Sequence, residues 1–187
     1  MEAELRSNLR AYSFLFTIAG FIIALDQWTK NTVRTQLEFG QAWAPWDWLL
    51  PYARIVYWHN SGAAFGLGQN LSIVITVLAI FVAGAIIIYF PQIPKTDWPL
   101  RIALSMQLGG AVGNLIDRLT IGLVTDFISV GTFPVFNVAD SSISVGVVVL
   151  IIGMWIMERR QKSNAENEES SLSNSEPSLS GEEVQGE

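Results

Sequence analysis

Ionisable and amide side chains gather in five short clusters of an otherwise apolar chain: Asp26-Gln27-Trp28-Thr29-Lys30, Asn60-Ser61-Gly62-Ala63-Ala64-Phe65-Gly66, Gly109 to Arg118, Val124-Thr125-Asp126-Phe127 and Phe136-Asn137-Val138-Ala139-Asp140. Charged groups beside hydrocarbon are costly and tend to mark a site. Asp126 and Asp140 sit on the two sides of one short polar segment, each where apolar sequence meets it. Two carboxylates held close cannot both ionise and share a proton. The ionised member can deprotonate water while the protonated member donates to a carbonyl oxygen, which is peptide hydrolysis without a covalent intermediate. Each residue also has a plain structural reading. Asn137-x-x-Asp140 has the form of a helix cap, with Asp favoured by the dipole in the first turn, and Asp126 alone could be a solvated loop carboxylate.

The other clusters divide in the same way. Asn114, Asp117 and Arg118 lie three and four residues apart, on one face of a helix; Asn114 and Arg118 could grip a peptide main chain, and Asp117 with Arg118 could be only a helix-end ion pair. Asp26 and Lys30 have i, i+4 spacing and read first as structural support. Asn60, before Gly62-Ala63-Ala64, could bring an amide to a reacting carbonyl or merely occupy a turn. Gly109-x-x-x-Gly113 allows close helix packing, and Ser141, Ser142 and Ser144 read as small packing residues. His59-Asn60-Ser61 sets a base near a hydroxyl, but adjacency in sequence does not make a triad.

The segments between the clusters must position them. Leu71–Phe90 is a twenty-residue run without charge, enough to cross about 30 Å of hydrocarbon. Ala11–Leu25, Ile102–Ile116 and Ser141–Met157 are shorter, each bounded by a polar cluster. Four spans follow, near residues 11–27, 71–90, 101–117 and 140–157, and both termini then share one side. Placing the termini and the loop between the second and third spans inward puts Arg6, Arg10, Lys95, Arg101, Arg159, Arg160 and Lys162 there, against Lys30, Arg34, Arg54 and Arg118 outside. The positive-inside bias therefore assigns both termini to the cytoplasm and all four clustered carboxylates to the outer face. Trp28, Trp43, Trp46, Trp48 and Trp58 fall in or beside the first outer segment, where amphipathic rings favour the headgroup level. Pro45, Pro51 and the run Arg54-Ile55-Val56-Tyr57-Trp58 predict short strands lying on the bilayer. The expected fold is an all-α integral membrane bundle of four transmembrane helices with a small β-rich outer segment.

Composition narrows the chemistry further. Mean hydropathy is +0.36 and only 15% of the 187 residues are charged. The net charge of −6 comes from the tail, which holds seven of the seventeen acidic residues and no basic residue beyond Lys162. Residues 1–162 read as one membrane domain and residues 163–187 as an acidic, disordered cytoplasmic tail. With no cysteine there is no thiolate nucleophile or disulfide, and a single histidine, His59, argues against a zinc site. Neither a metal nor an organic cofactor is implied, and scattered basic residues argue against nucleic acid as a partner. Arg6 and Arg10 before an apolar run resemble a signal sequence, but the run ends in Leu25-Asp26-Gln27, so it reads as a retained anchor.

Taken in order from Asp26 to Ile143, the five clusters resemble the lipoprotein signal peptidases, also called signal peptidase II. That resemblance implies an aspartic endopeptidase of the bacterial cytoplasmic (inner) membrane. It would cleave prolipoproteins before a diacylglyceryl-modified cysteine, with its active site near the outer face. The catalytic aspartates of the family fall on Asp126 and Asp140, and its supporting polar positions on Asp26, Lys30, Asn60, Asn114, Asp117, Arg118 and Asn137. Lipidated prolipoproteins and membrane lipid are the implied partners, and a monomer is expected. The rival reading is a small proton-coupled transporter whose carboxylates relay protons; it predicts carboxylates spread through membrane depth rather than gathered at one face.

Overall fold

A computed structural model describes residues 1–60 and 70–175. They form four α-helices and a three-stranded sheet: α1 Glu2–Gln36, β1 Ala42–Trp43, β2 Ala53–Asn60, α2 Asn70–Tyr89, α3 Trp98–Thr120, β3 Val124–Val130 and α4 Val138–Ser175. Most of the cluster around Gly62 lies outside the described residues.

In α1 a single buried stripe dictates both packing and site. Ala11, Leu15, Ala19, Ile22, Asp26, Lys30 and Val33 recur at steps of three and four, hence on one face. The N-terminal half of that stripe is small or apolar and packs into a core with Ala83 and Ile86 of α2, Phe90 just after it and Leu108 of α3. Its C-terminal half carries Asp26 and Lys30. At 1.5 Å per residue α1 is about 52 Å long, so it continues well past the hydrocarbon expected for residues 11–27.

α3 lies centrally, against α1, α2 and α4. Its glycines make that possible. A Cβ on Gly110 would strike the Ala139 carbonyl and the Ser142 hydroxyl of α4, and one on Gly113 would reach the Asp26 carboxylate of α1. A Cβ on Gly109 would likewise meet Ala19 and Ile22 of α1, so the Gly109-x-x-x-Gly113 motif packs on α1 as expected of it while Gly110 beside it packs on α4.

Outside this core, large apolar side chains face outward: Ile73 is 70% exposed, Phe81 72% and Val148 52%. A belt of that size suits lipid rather than water. α1, residues 72–92 and the first part of α4 are each long and apolar enough to cross a membrane. α3, with Arg101, Asn114, Asp117 and Arg118, is long enough but falls short of that apolarity, so three of the four expected spans meet the criterion on composition.

Two further features differ from expectation. The sheet is not confined to the first outer segment: β2 pairs antiparallel with both β1 and β3, and β3 belongs to the second outer segment. α4 also runs on past Lys162 to Ser175, where a disordered tail is expected. Extending an existing helix escapes the cost of nucleation, and Ala165, Glu166, Glu168 and Glu169 are good helix formers.

Candidate active site

The site is assembled where the C-terminal ends of α1 and α3 and the N-terminal end of α4 meet β2 and β3. Asp140 lies in the first turn of α4, and its position is fixed by a reciprocal cap. The Asp140 N–H donates to Asn137 Oδ1 at 2.9 Å, and the Asn137 N–H donates to Asp140 Oδ2 at 3.2 Å. The capping reading of this motif therefore holds, and it leaves Asp140 Oδ1 to accept from Asn114 Nδ2 at 2.7 Å.

Asp126 lies on β3 and is almost fully buried. Its two oxygens accept from different elements, Oδ1 from Asn137 Nδ2 at 2.7 Å and Oδ2 from Asn60 Nδ2 at 2.9 Å. Asn60 is thus the last residue of β2 and a partner of the carboxylate. Burial, and then the neighbouring Asp140 charge, push the Asp126 carboxyl from 3.8 up to about 6, against the lowering effect of Asn60, Asn137 and Lys30.

The two aspartates are linked through a pair of amides. Asn137 Nδ2 reaches Asn114 Oδ1 at 3.0 Å as well as Asp126, and Asn114 turns its own Nδ2 to Asp140. Asn114 is itself held by a cation, since Lys30 Nζ donates to its Oδ1 at 2.9 Å. Lys30 is fully buried and also pairs with Asp26 at 2.8 Å and Asp117 at 3.3 Å. Asp26 Oδ1 in turn accepts the Ala139 N–H at 2.9 Å, tying α1 to the start of α4. All the carboxylates and amides singled out in the sequence are therefore gathered in one region.

Their roles are not all as expected. Asn114, expected either to support the pair or to grip a substrate, bonds Lys30, Asn137 and Asp140. Asp117 does not pair with Arg118 among the described contacts; its partners are Lys30 and Arg34, the latter at 2.7 Å. Arg118 instead lies in the field of Asp140, Asp126 and Asp117. Its Nε is buried with no hydrogen-bond acceptor among the described residues. His59 Nε2 meets the Tyr57 hydroxyl at 2.9 Å, and its ring packs against Phe39.

Three participants were missed by sequence reasoning. Gln27 Nε2 reaches Gly113 O at 3.0 Å and Asp117 Oδ1 at 3.2 Å. Thr125 donates its N–H to Asp117 Oδ2 at 2.9 Å, and Arg34 Nε donates to Thr125 Oγ1 at 2.8 Å. Arg34 continues the Asp26, Lys30 series by another four residues, a signal that could have placed it on the same face. No group of three or more candidate metal ligands occurs among the described residues.

Residues 18–156 match the family model described as signal peptidase (SPase) II. The lipoprotein signal peptidase of Shouchella clausii is 40% identical over 149 residues, covering 79% of this chain and 96% of that protein. The one from Geobacillus thermodenitrificans is 38% identical over 153 residues, covering 80% and 94%. A solved bacterial membrane enzyme superposes with a TM-score of 0.68 at 30% identity, covering 75% of this chain and 87% of its own.

Proposed function

The chain belongs to the signal peptidase II family, and on that premise we propose that it removes signal peptides from bacterial prolipoproteins as an aspartic endopeptidase, with Asp126 and Asp140 as the acid-base pair. The observation that carries the reading is the amide-bridged pair itself. Two carboxylates from separate elements converge through Asn114 and Asn137, and one of them keeps its proton up to about pH 6.

In the proposed reaction the ionised carboxylate takes a proton from water as its oxygen attacks the carbonyl carbon before the lipidated cysteine. The protonated carboxyl donates to the carbonyl oxygen. As the C–N bond breaks, the carboxyl that took the water proton passes it to the departing cysteine nitrogen. A hydroxyl of the gem-diol intermediate returns its proton to the other carboxylate as the new carbonyl forms, and the two aspartates again share one proton. Arg118 Nε, without an acceptor among the described residues, suits a substrate carbonyl. No metal or organic cofactor has a step in this scheme.

Membrane placement follows the same reading. α3 crosses as a fourth span because Asn114 and Asp117 turn inward onto partners instead of facing lipid. Four crossings and the lysine and arginine bias put both termini in the cytoplasm and the aspartates near the outer face. The protein acts as a monomer on lipidated precursors drawn from the surrounding bilayer. The rival proton-coupled transporter is not supported, since the matched relatives are peptidases and the carboxylates collect at one end of the bundle.

The test is single-turnover cleavage of a diacylglyceryl-modified precursor by purified protein, with Asp126→Asn and Asp140→Asn assayed beside it. Near-complete loss in both folded variants is expected. A folded variant of either kind that keeps a tenth of the normal rate would rule out the assignment.

A further inference from the structure

We propose that Arg34 is a positioning residue for the aspartate pair, holding the strand that carries Asp126 in place and balancing the buried charge behind it. This rests on the aspartic reading above. Arg34 lies in the last turn of α1 and touches neither aspartate of the pair in the described contacts. Its guanidinium closes a ring of three residues from three elements. Nη2 pairs with Asp117 Oδ1 of α3 at 2.7 Å, Nε donates to Thr125 Oγ1 of β3 at 2.8 Å, and the Thr125 N–H returns to Asp117 Oδ2 at 2.9 Å. The ring spans the point where the chain leaves α3, turns at Gly122 and begins β3. Thr125 directly precedes Asp126, and its carbonyl accepts from Asn137 Nδ2, the same amide that bonds Asp126. Movement of Thr125 would therefore displace Asp126 and its amide partner together.

The charge argument is independent of that geometry. Asp26 and Asp117 are buried against two cations, Lys30 and Arg34. Without Arg34 the cluster holds one uncompensated negative charge, and Lys30 is drawn from Asn114 toward Asp117. The groups facing Asp126 are Asp140 of α4, Asn60 of β2, Asn137, Lys30 of α1 and, from α3, Arg118. An extra negative charge behind Lys30 disfavours ionisation of the pair, so the pH dependence of cleavage should move upward.

The experiment compares the full chain with Arg34→Gln, Arg34→Lys, Asp126→Asn and the exposed-strand control Arg54→Gln, in lipid nanodiscs, measuring kcat, KM and pH profile on a lipidated precursor and thermal stability separately. Arg34→Gln should lose about 10–100-fold in kcat, the scale of a misplaced catalytic group, with KM within about twofold and the limb shifted up by about half a unit or more. Arg34→Lys should restore the wild-type pH limb, because it keeps the charge. Its kcat should stay several-fold low, because an ammonium does not reproduce the planar fork. Arg54→Gln should match the parent. A wild-type kcat and pH profile in Arg34→Gln, with only lower thermal stability, would overturn the proposal. Should Arg34→Gln fail to fold, Arg34→Lys decides: full kcat overturns the proposal, reduced kcat at unchanged KM and pH limb supports it. Undiminished cleavage by Asp126→Asn would instead overturn the aspartic reading and this role with it.

Discussion

Both ends of the bundle bury positive charge, and they do so by different means. At the end that carries the aspartates Lys30 and Arg34 are met by carboxylates and amides that lead within a few steps to Asp126 or Asp140. At the opposite end Arg101 is 6% exposed and lies over the rings of Phe14 and Phe90, at 5.2 and 4.7 Å, with a hydrogen bond to the Ile93 carbonyl at 3.0 Å. Aromatic faces hold a cation with little directional demand. A carboxylate and amide network fixes atoms to specific positions, and it becomes unstable when one member is lost. The Arg101 end is built to seal the bundle, the aspartate end to hold geometry.

The contrast is tested most severely at the pair itself. Asp126→Asn or Asp140→Asn should each lower single-turnover cleavage by ~10²–10⁴-fold, and the double variant should be little worse than either, because residues that act as a unit are not additive. Independent, multiplying losses would show that the two do not share one proton.

Removing the buried cations should separate the two ends by size of effect. Lys30→Met leaves Asp26 and Asp117 facing a single remaining cation and frees Asn114, so a stability loss of about 3–5 kcal/mol is expected together with loss of cleavage. Arg101→Met strands no carboxylate in the described contacts and gives up cation–π contacts of about 0.5–2 kcal/mol in all, with kcat preserved. Thermal unfolding in detergent and cleavage assays on both variants check this, and equal losses would erase the distinction.

A smaller effect is expected from pH. Because Asp126 releases its proton at about 6, the singly protonated pair of the free enzyme is depleted above that value. The ratio kcat/KM should accordingly fall as pH rises through about 6, while Asp126→Asn residual activity should lack that limb. The smallest effect is reserved for the end of α4. Residues after 156 lie outside the family match, and truncation after Lys162 should leave purified cleavage within about twofold, as for surface changes remote from a site.

How much of this was legible in the chain depends on distance along it. The spacing Asp26 to Lys30 and the cap Asn137 to Asp140 lie within one turn, so residue types alone predicted partners that the fold retains. Gly109 and Gly113 announced close packing but not which helices would approach. Asp117 illustrates the limit: its neighbour Arg118 was the local choice, yet Arg34, 83 residues earlier, takes the carboxylate. Likewise Val124 to Asp126 carried no sign of a strand paired with β2, since pairing is settled by which edge is available in space.

The sequence by itself determined the apolar belt, the concentration of ionisable residues between apolar segments and the identity of the paired aspartates as candidates, because burial in lipid penalises unneeded charge whatever the fold. Only the tertiary structure decided that Lys30 would hold Asn114, that two amides would join Asp126 to Asp140, and that Arg34 would lock Thr125. Those links join elements far apart in the chain. They form because the glycines of α3 let three helix ends converge, and because each polar group buried there must find its partner among whatever the packing brings within about 3 Å.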